Sequence, residues 1–424
     1  MNDLYFQDLK IIQTKQWTLL KKQLKYISEN SPYYRQLFKD RSIDISAISS
    51  FKDLQKLPVT TKEDLQRHNS EFIAVPEADI IDFVTTSGTL GSPVNFALND
   101  ADLDRLAENE FRSFQMAGVT KSDKVQITTT LDRRFMAGLA YFLGLRKLGA
   151  GIIRTGSGLP QLQWESINRF MPNYLVAVPS FLLKLIKYAE KNNIDYKNSS
   201  VKAAVCIGEP LRDQDFNLNA LGKKITEKWN IELFSTYAST EMSTAFTECA
   251  EHEGNHVLAD LIYTEILNEK GQQVKPGEVG ELVVTPLGTQ TMPLLRFATG
   301  DMMTFNDSNC NCGRNTTKLS AVIGRKQQKI KLKGTSLYPQ HIIEVLNNYD
   351  IIQSYVIEAS LDEFGNDKVQ VRVPDTFIRI KELKDYFRSQ LNVTPEIQPT
   401  KIEKISYLKF PEGSRKPQIF RDYR

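Results

Sequence analysis

The 424-residue sequence is poor in cysteine and histidine, with four of each, and has no run of about eighteen apolar residues. The missing run excludes a membrane-spanning helix. The 54 basic and 51 acidic residues nearly balance, without long blocks of like charge, which argues against nucleic acid or an anionic membrane as partner. The start, MNDLYFQDLKIIQTKQW, lacks a basic stretch before an apolar core, so we expect no signal peptide and a cytoplasmic protein.

The few cysteines indicate metal binding or packing rather than disulfides. Cys206 lies in the apolar run AAVCIG and is predicted to be a packed core residue. Cys310 and Cys312 form a CxC, and Cys249 begins a segment, CAEHEGNH, that offers two histidines. Three sulfurs and one imidazole would make a closed tetrahedral zinc site, which is structural because no position is open for water. The alternative is a set of unrelated thiols and histidines, since two distant segments must meet in space.

The length predicts two or three units, each with its own core. Residues 1–75 have apolar positions at three- and four-residue steps, which predicts a helical cover. From about 80 to 240, strand-like and helix-like stretches alternate, which predicts a mainly parallel sheet. From about 255 to 305 the pattern changes to strands joined by turns, which predicts an antiparallel layer.

After GRKQQKIKLKG the remainder of the chain has the pattern of a small α+β unit. We therefore predict an α/β fold. A large N-terminal body, residues 1–327, would carry parallel and mixed sheets flanked by helices plus the antiparallel, barrel-like layer. A small α+β unit would follow at 328–424.

Residues 85–93, TTSGTLGSP, are rich in glycine and hydroxylated residues. Glycine allows close backbone approach, and hydroxyls and main-chain amides can donate to an anion, so the stretch predicts a phosphate-binding loop. It follows IIDFVT, which has the composition of a strand. It does not match GxxxxGK[ST], and taken alone it is also typical of an ordinary surface loop.

Several short motifs, taken together in their order along the chain, indicate a protein family more specifically than any one motif does. They occur in the order found in the adenylate-forming (ANL) superfamily of acyl-CoA synthetases, adenylation domains and luciferases: TTSGTLGSP, IGEPL, YASTE, GEVGELVVT, RFATGD and GRKQQKIKLKG. Within it the chain resembles the phenylacetate-CoA ligase branch along essentially its whole length, through SPYYRQLF, LPVTTKEDL, the GEP stretch, CNCGR and the C-terminal GSRKPQIFRDYR.

The resemblance implies that a carboxylate attacks the α-phosphate of ATP to give an acyl-adenylate and pyrophosphate, and that a thiol then displaces AMP. The implied cofactors are ATP/AMP, Mg²⁺ and coenzyme A. The resemblance also implies that the nucleotide and acyl sites lie within 76–327 and that 328–424 is a mobile lid. Thr240 would donate to the α-phosphate and Glu241 would hold Mg²⁺. The implied nucleotide-binding residues are Thr86, Ser87, Gly88, Thr89, Gly208, Glu209, Pro210, Tyr237, Ala238, Ser239, Thr240, Asp301 and Arg325.

By the same resemblance, Lys416 would neutralise charge that builds up in the transition state. Its assignment follows from alignment on Asp422 and Arg424, and the adjacent Arg415 leaves the register open by one residue. For the metal, relatives favour His256 over His252, which gives Cys249, His256, Cys310 and Cys312 as the zinc set.

Several positions depart from the family pattern. Ser92 replaces the loop lysine, Leu90 a threonine, Ala238 a glycine and Gln328 a common hinge aspartate. These departures keep a catalytically silent nucleotide or ligand sensor open as an alternative to an enzyme.

The acyl substrate is the least defined part of the prediction. Phe135, Met136 and Gly138 match the helix that lines the carboxylate pocket in this branch, with 179–181 facing them, although such residues are also typical of plain core. The branch favours an aryl or arylacetic acid over a short aliphatic or hydroxylated one. A phosphopantetheine carrier protein is the alternative acceptor to coenzyme A, and a homodimer is left open.

Overall fold

The computed structural model describes residues 4–86, 94–349, 352, 354–411 and 417–424. The chain divides into two compact units. The first comprises Met1–Thr299 and Met303–Ala321, and the second comprises Gly300–Met302 and Val322–Arg424. The boundary between residues 327 and 328 and the mobility of a lid stay predictions.

The α-helices within the described residues have the following bounds: α1 (Leu9–Asn30), α2 (Pro32–Asp40), α3 (Phe51–Leu54), α4 (Lys62–Arg67), α5 (Asp100–Met116), α6 (Met136–Leu148), α7 (Pro160–Phe170), α8 (Pro179–Lys191), α9 (Ala220–Lys228), α10 (Pro339–Asn348), α11 (Ile380–Leu391) and α12 (Ile402–Lys409). None of these helices combines the length and the apolar character needed to cross a membrane, a statement that covers the described residues only.

The strands of the described residues have these bounds: β1 (Asp82–Thr85), β2 (Asn95–Leu98), β3 (Lys124–Ile127), β4 (Gly151–Arg154), β5 (Tyr174–Ala177), β6 (Ala203–Cys206), β7 (Glu232–Ser239), β8 (Thr244–Glu248), β9 (Asn255–His256), β10 (Ile262–Leu267), β11 (Gly280–Pro286), β12 (Phe297–Met303), β13 (Phe305–Asn306), β14 (Lys318–Leu319), β15 (Gly324–Arg325), β16 (Ile330–Leu332), β17 (Thr335–Leu337), β18 (Val356–Leu361), β19 (Asp367–Pro374), β20 (Glu396–Thr400) and β21 (Phe420–Asp422).

Helices α1 to α4 lie in the region where a helical cover was expected. In α1 the buried residues Leu20, Leu24 and Ile27 recur at helical spacing and form its inner face. Helix α4 begins with a capping box, in which the Thr61 side chain accepts from the Asp64 backbone and the Asp64 side chain accepts from the Thr61 backbone. These local signals explain why the sequence predicted helices here.

The largest sheet has nine strands in the order β13-β14-β9-β8-β7-β6-β5-β3-β4. Strands β3 to β7 pair in parallel, which confirms the parallel sheet predicted from the alternation of strands and helices. Several buried apolar residues of this part, among them Val125, Leu175 and Val176, are fully inaccessible. The alternating crossovers place helices against the sheet, as in other α/β proteins.

The antiparallel layer expected at 255–305 is not one sheet. Only residues 240–243 connect β7 to β8, so the chain reverses direction there. Strands β8, β9, β14 and β13 then extend the parallel sheet through antiparallel pairs. Strands β10 and β11 pair antiparallel in a separate sheet, in which β12 is next to β11. The predicted mixed α/β fold class is therefore confirmed, with its antiparallel part divided in two.

The second unit has its own four-stranded sheet, in the order β20-β19-β18-β21, and its own core. Leu383 and Phe387 of α11 are fully buried in that core. At the end of the chain, Arg424 donates to the Lys329 carbonyl at 2.9 Å and pairs with Asp367 at 3.2 Å. The C-terminal residues are thus fastened to the segment around Gln328 within this unit.

Candidate active site

Three neighbouring parallel strands end at one edge of the large sheet, and each is followed by a segment that the sequence had singled out. Strand β5 leads to 179–181 and β6 to 207–210, while β7 carries Tyr237 and leads to Thr240 and Glu241. Since parallel strands end at the same edge, these segments come together there. This is the edge at which open α/β sheets bind ligands.

The turn after β6 is tied to the helix after β5. The Glu209 carboxylate accepts two hydrogen bonds of 2.8 Å, from the backbone N–H and the hydroxyl of Ser180, in the first turn of α8. A carboxylate at a helix N-terminus is favoured by the helix dipole, and α8 has no side-chain cap of its own. Gly208 supports the turn with a φ of +76°, which favours glycine. The backbone of the turn is therefore held in one shape.

Tyr237 lies near the end of β7, where the resemblance places adenine. Its ring stacks on Phe246 of β8, with 6.0 Å between ring centroids and 19° between ring planes. The cross-strand pairing of the two residues fixes this contact. Tyr237 is half-buried and Ala238 is exposed, so this end of the strand remains accessible to a ligand.

Thr240 and Glu241 belong to the tight connection between β7 and β8. The Ser239 hydroxyl accepts from the Met242 backbone at 3.3 Å, and the Ser243 backbone donates to the Thr240 carbonyl at 3.1 Å. Glu241 is 9% exposed. These two bonds hold the backbone on either side of Glu241.

A buried arginine donates hydrogen bonds to the end of the connection between β7 and β8. Arg105 of α5 donates to the Ser243 carbonyl and, at 3.0 Å, to the Thr244 hydroxyl. Burial lowers the pKa of Arg105 to about 10, so the guanidinium is still cationic near neutral pH. Sequence reasoning missed Arg105, and it included Ser180 only within 179–181, as part of the acyl pocket and not as a partner of Glu209. The Pro-Ser start of α8 was a signal for Ser180, whereas nothing local marked Arg105.

The base of the predicted phosphate loop is closed by Thr86. Its hydroxyl accepts from the Val94 backbone at 2.9 Å, and its own N–H donates to the Val94 carbonyl at 3.0 Å. An accepting hydroxyl still has a proton to donate. The other predicted loop residues, Ser87, Gly88 and Thr89, lie outside the described residues, as do Leu90, Ser92, Arg415 and Lys416.

In the second unit, Asp301 and Arg325 are directly opposite each other on paired antiparallel strands. The Arg325 Nε atom lies 3.3 Å from the Asp301 carboxylate. Gly324 packs against the Tyr338 ring, and an added Cβ would lie 2.3 Å from it, so only glycine fits before Arg325. Gln328, the predicted hinge, ends a 3-10 turn at Lys326–Gln328.

The predicted acyl-pocket residues lie at the start of α6. Met136 is buried and Phe135 is half-buried. Gly138 lies against the backbone of the preceding loop, where an added Cβ would be 2.1 Å from the Thr130 carbonyl oxygen. Close packing therefore accounts for the glycine by itself, and the roles of all three residues in acyl binding stay predictions.

Cys249, His256, Cys310 and Cys312 come together in the first unit, with their ligand atoms within 4.8 Å of one another. The Cys249 and Cys310 sulfurs are 3.6 Å apart, and the Cys312 sulfur is 3.6 Å from Nε2 of His256. A tetrahedral zinc ion with bonds of about 2.3 Å to sulfur and 2.0 Å to nitrogen requires edges of roughly 3.5–3.8 Å. Two edges of the cluster have this length, and the donor set of three thiols and one imidazole suits zinc.

The surroundings of the cluster suit a cation. Nδ1 of His256 lies 3.0 Å from the Thr316 hydroxyl, which orients the ring so that Nε2 faces the sulfurs. Burial, with Arg314 and Lys318, lowers the pKa of His256 to about 3, so the imidazole is neutral. Burial raises the pKa of Cys249 to about 12, so a thiolate there needs a compensating positive charge. His252 lies elsewhere, near Glu232 at 3.2 Å.

Comparison with known proteins places the chain in a family. The family model for AMP-binding enzymes matches residues 24–293. A phenylacetate-coenzyme A ligase from Thermus thermophilus is 28% identical over 370 residues, covering 85% of this chain and 81% of that protein. One from Escherichia coli is 29% identical over 374 residues, covering 86% and 82%. A crystal structure of 2-hydroxyisobutyryl-CoA ligase in the postadenylation state superposes with a TM-score of 0.83 at 21% identity, covering 98% of this chain and 89% of that one.

The chain belongs to the AMP-binding enzyme family, since the matching region is more than half of its length. It lies in the phenylacetate-CoA ligase-like branch of the adenylate-forming superfamily, as its relatives of comparable length show. The resemblance predicted from the sequence motifs is confirmed, and the structural likeness confirms the fold.

Proposed function

We propose that the protein is an AMP-forming acid–thiol ligase. A carboxylate oxygen of the substrate forms a bond to the α-phosphorus of ATP, the bond to the β-phosphate oxygen breaks, and pyrophosphate leaves. A thiol sulfur then attacks the acyl carbon, AMP leaves, and the thiol proton passes to solvent. The observation that carries the proposal is the meeting of the GEP, Tyr237 and Thr240–Glu241 segments at one sheet edge.

The first-unit residues take the following roles in this proposal. The Tyr237 ring stacks on adenine, and the backbone around Gly208 lines the base. The Thr240 hydroxyl donates to the α-phosphate, and Thr86 uses its remaining proton toward the phosphates. Glu241 would hold Mg²⁺, which would neutralise phosphate charge, because a carboxylate suits a hard cation.

The remaining roles rest on the resemblance. In the second unit, Asp301 would accept from both ribose hydroxyls, and Arg325, which pairs with that carboxylate, would donate to the ribose or its neighbourhood. The remaining loop residues, Ser87, Gly88 and Thr89, would bind the departing phosphates. Lys416 would stabilise the transition state electrostatically.

The acyl substrate is proposed to be an aryl or arylacetic acid, in keeping with the names of the relatives. Coenzyme A is proposed as the acceptor. We also propose that the ligase works in the cytoplasm, because none of its four cysteines forms a disulfide, as expected in a reducing compartment. A homodimer is compatible with all of these roles.

The test is pyrophosphate release with ATP and a panel of carboxylic acids, with and without coenzyme A. The panel should contain phenylacetate, substituted benzoates and short 2-hydroxy acids. We expect release with an aromatic acid and acyl-CoA formation when coenzyme A is added. Acyl transfer to a phosphopantetheine carrier without acyl-CoA would replace the proposed acceptor. ATP binding without pyrophosphate release from any acid would favour a silent sensor.

The same assay tests Lys416. A Lys416→Ala protein should release pyrophosphate roughly 100- to 1,000-fold more slowly, because removing one preorganised charge from a transition state has effects of this size. Its affinity for AMP should not change, since AMP has no developing charge. Lys416→Ala with normal pyrophosphate release would remove the residue from its role, and Arg415→Ala tests the neighbouring register.

The bridge between Glu209 and Ser180 predicts a graded loss of nucleotide binding. Glu209→Ala removes two charge-assisted hydrogen bonds, frees the turn that lines adenine and should weaken AMP binding by roughly 10-fold. Ser180→Ala keeps the bond from the Ser180 N–H to Glu209. It should therefore lose less than half of the AMP-binding free energy that Glu209→Ala loses. Calorimetric titration of AMP measures both. Equal affinity in wild type and Glu209→Ala would show that the turn keeps its shape without the bridge.

The cysteine cluster is proposed to bind one structural zinc ion through Cys249, His256, Cys310 and Cys312. The four ligand atoms leave no coordination position for substrate, so the zinc would stabilise the fold and take no part in acyl transfer. The cluster holds the segment after β13 against β8 and β9.

A further inference from the structure

A lysine from the N-terminal helices lies beside the proposed magnesium ligand. The Lys62 ammonium is 4.0 Å from the Glu241 carboxylate, and the two side chains are only 25% and 11% exposed. Lys62 is the first residue of α4, far in sequence from the connection that carries Glu241. The motif-based reading of the sequence gave Lys62 no role.

The backbone next to Lys62 is fastened to β12. The Thr60 N–H donates to the Arg296 carbonyl at 3.0 Å, and the Ala298 N–H donates back to the Thr60 carbonyl at 2.9 Å. The Thr60 hydroxyl adds a bond of 2.7 Å to the Leu295 carbonyl. On the other side, the capping box of Thr61 fixes the first turn of α4. The base of the Lys62 side chain therefore has little freedom.

A buried ion pair anchors the segment that precedes this contact. The Arg296 guanidinium binds both oxygens of Glu265, at 2.9 and 3.0 Å, and also donates to the carbonyls of Gln55 and Leu57. Both charged side chains are nearly inaccessible. An exposed ion pair stabilises a fold by little. The backbone before Lys62 is held more firmly than such a pair would require.

The charges around Lys62 leave its ammonium able to change partners. The Asp64 carboxylate is engaged in the capping box, at 2.8 Å from the Thr61 N–H, and the contact with Glu241 is longer than a hydrogen bond. A divalent cation bound by Glu241 would repel the ammonium, while a triphosphate would attract it. The predicted phosphate loop, TTSGTLGSP, contains no lysine or arginine of its own.

From this arrangement we infer that Lys62 is a phosphate-contacting residue, which donates to the β- or γ-phosphate of ATP and supplies the cation that the loop lacks. Without nucleotide, Lys62 balances the charge of Glu241. The inference rests on the proposed function, because it takes Glu241 as the residue that holds Mg²⁺. It predicts that Lys62 distinguishes ATP from AMP, which has neither of the two outer phosphates.

Equilibrium binding without turnover tests this. ATP and AMP are titrated by calorimetry in the presence of Mg²⁺ and without an acid substrate. Lys62→Gln should weaken ATP binding roughly 10- to 100-fold, the usual effect of losing a charge-assisted hydrogen bond, and leave AMP binding within about twofold. Lys62→Arg should recover most of the ATP affinity. Lys56→Gln is the matched control, because Lys56 pairs with Asp53 at the surface and loses the same charge.

The outcomes separate the inference from the proposed function. Wild-type protein that binds neither nucleotide would overturn the proposed function and the inference with it. Wild-type protein that binds ATP, together with Lys62→Gln that binds it equally well, would overturn the inference alone. Parallel loss of ATP and AMP binding in Lys62→Gln, with a lowered melting temperature, would reduce Lys62 to a structural ion-pair partner of Glu241.

Discussion

Replacing Cys310 with alanine is expected to give a protein that purifies with less than roughly a tenth of an equivalent of zinc and melts about 6 °C below wild type. The ligands come from the end of β8, from β9 and from the loop that follows β13. A metal that binds only the folded arrangement adds its binding free energy to the free energy of unfolding. A net loss of about 4 kcal/mol accounts for the expected shift in a domain of this size.

The loss of stability should extend beyond the cluster, because the loop that contains Cys310 and Cys312 also holds residues 5–7 near the start of the chain. Asn315 donates to the Tyr5 carbonyl at 2.8 Å through its backbone and to the Gln7 carbonyl at 3.0 Å through its side chain. Tyr5 packs in the same apolar cluster as Cys249 and Cys310. Hydrogen exchange around residues 5–7 should therefore increase in Cys310→Ala.

Elemental analysis and thermal melting measure the effect, and the chain provides two controls. Cys206→Ala removes an equally buried thiol from β6, outside the cluster, and His252→Ala removes the neighbouring histidine that pairs with Glu232. Both should keep a full equivalent of zinc, whereas His256→Ala should lose it. Two results would contradict a structural zinc site. One is a Cys310→Ala protein that retains zinc, and the other is wild-type protein that lacks zinc and still melts at the same temperature as the zinc-bound protein.

The cysteine cluster shows what spacing in a sequence can predict. Cys310 and Cys312 are two residues apart, and Cys249 is near two histidines, so a four-ligand set could be written down from the sequence. The choice between His252 and His256 needed relatives, because both are close to Cys249 in the chain. In the structure β9 pairs with both β8 and β14, which brings His256 to the sulfurs. That pairing has no local sequence signal.

The fold was predictable where its signals are local. Strand and helix patterns alternate over β3 to β7, so a parallel sheet followed from the connections alone. The continuation of that sheet by β8, β9, β14 and β13 was not predictable, because short strands pair according to tertiary contacts rather than composition. The predicted antiparallel layer consequently merged strands that belong to two different sheets.

The candidate site follows the same rule. Motif order predicted site roles for Tyr237, Glu209 and Glu241, but it did not reveal what their side chains contact. Glu209 was expected beside adenine, and its carboxylate is engaged with α8 through Ser180. Contacts of this kind join segments that are distant in sequence, so single-sequence patterns carry no information about them.

Glu241→Gln is expected to lower kcat/KM for pyrophosphate release by roughly 100- to 1,000-fold. Glutamine has the same shape but carries no charge, and a neutral amide is a weaker ligand for a hard divalent cation than a carboxylate. AMP affinity and melting temperature should stay near wild type. The backbone bonds of the connection between β7 and β8, including the Ser239–Met242 bond, do not use the carboxylate.

Pyrophosphate release is measured over a range of Mg²⁺ concentrations, where the variant should need much more metal to reach half of its maximal rate. Glu190→Gln is the control, because Glu190 pairs with Lys228 at 2.8 Å on exposed side chains. An unchanged Mg²⁺ requirement in Glu241→Gln would remove Glu241 as the metal ligand and leave Thr240 as the only residue of that connection with an assigned role.

The pairing of Glu241 with Lys62 predicts that replacing these two residues changes the affinity for metal-free ATP in opposite directions. With EDTA present, no divalent metal ion separates the Glu241 carboxylate from the triphosphate, and the two repel each other. Glu241→Gln should therefore bind metal-free ATP more tightly than wild type, by a few-fold, whereas Lys62→Gln should bind it more weakly. Opposite shifts are the signature of two opposite charges, 4.0 Å apart, acting on one polyanion. Shifts in the same direction would mean that at least one of the two side chains does not face the phosphates.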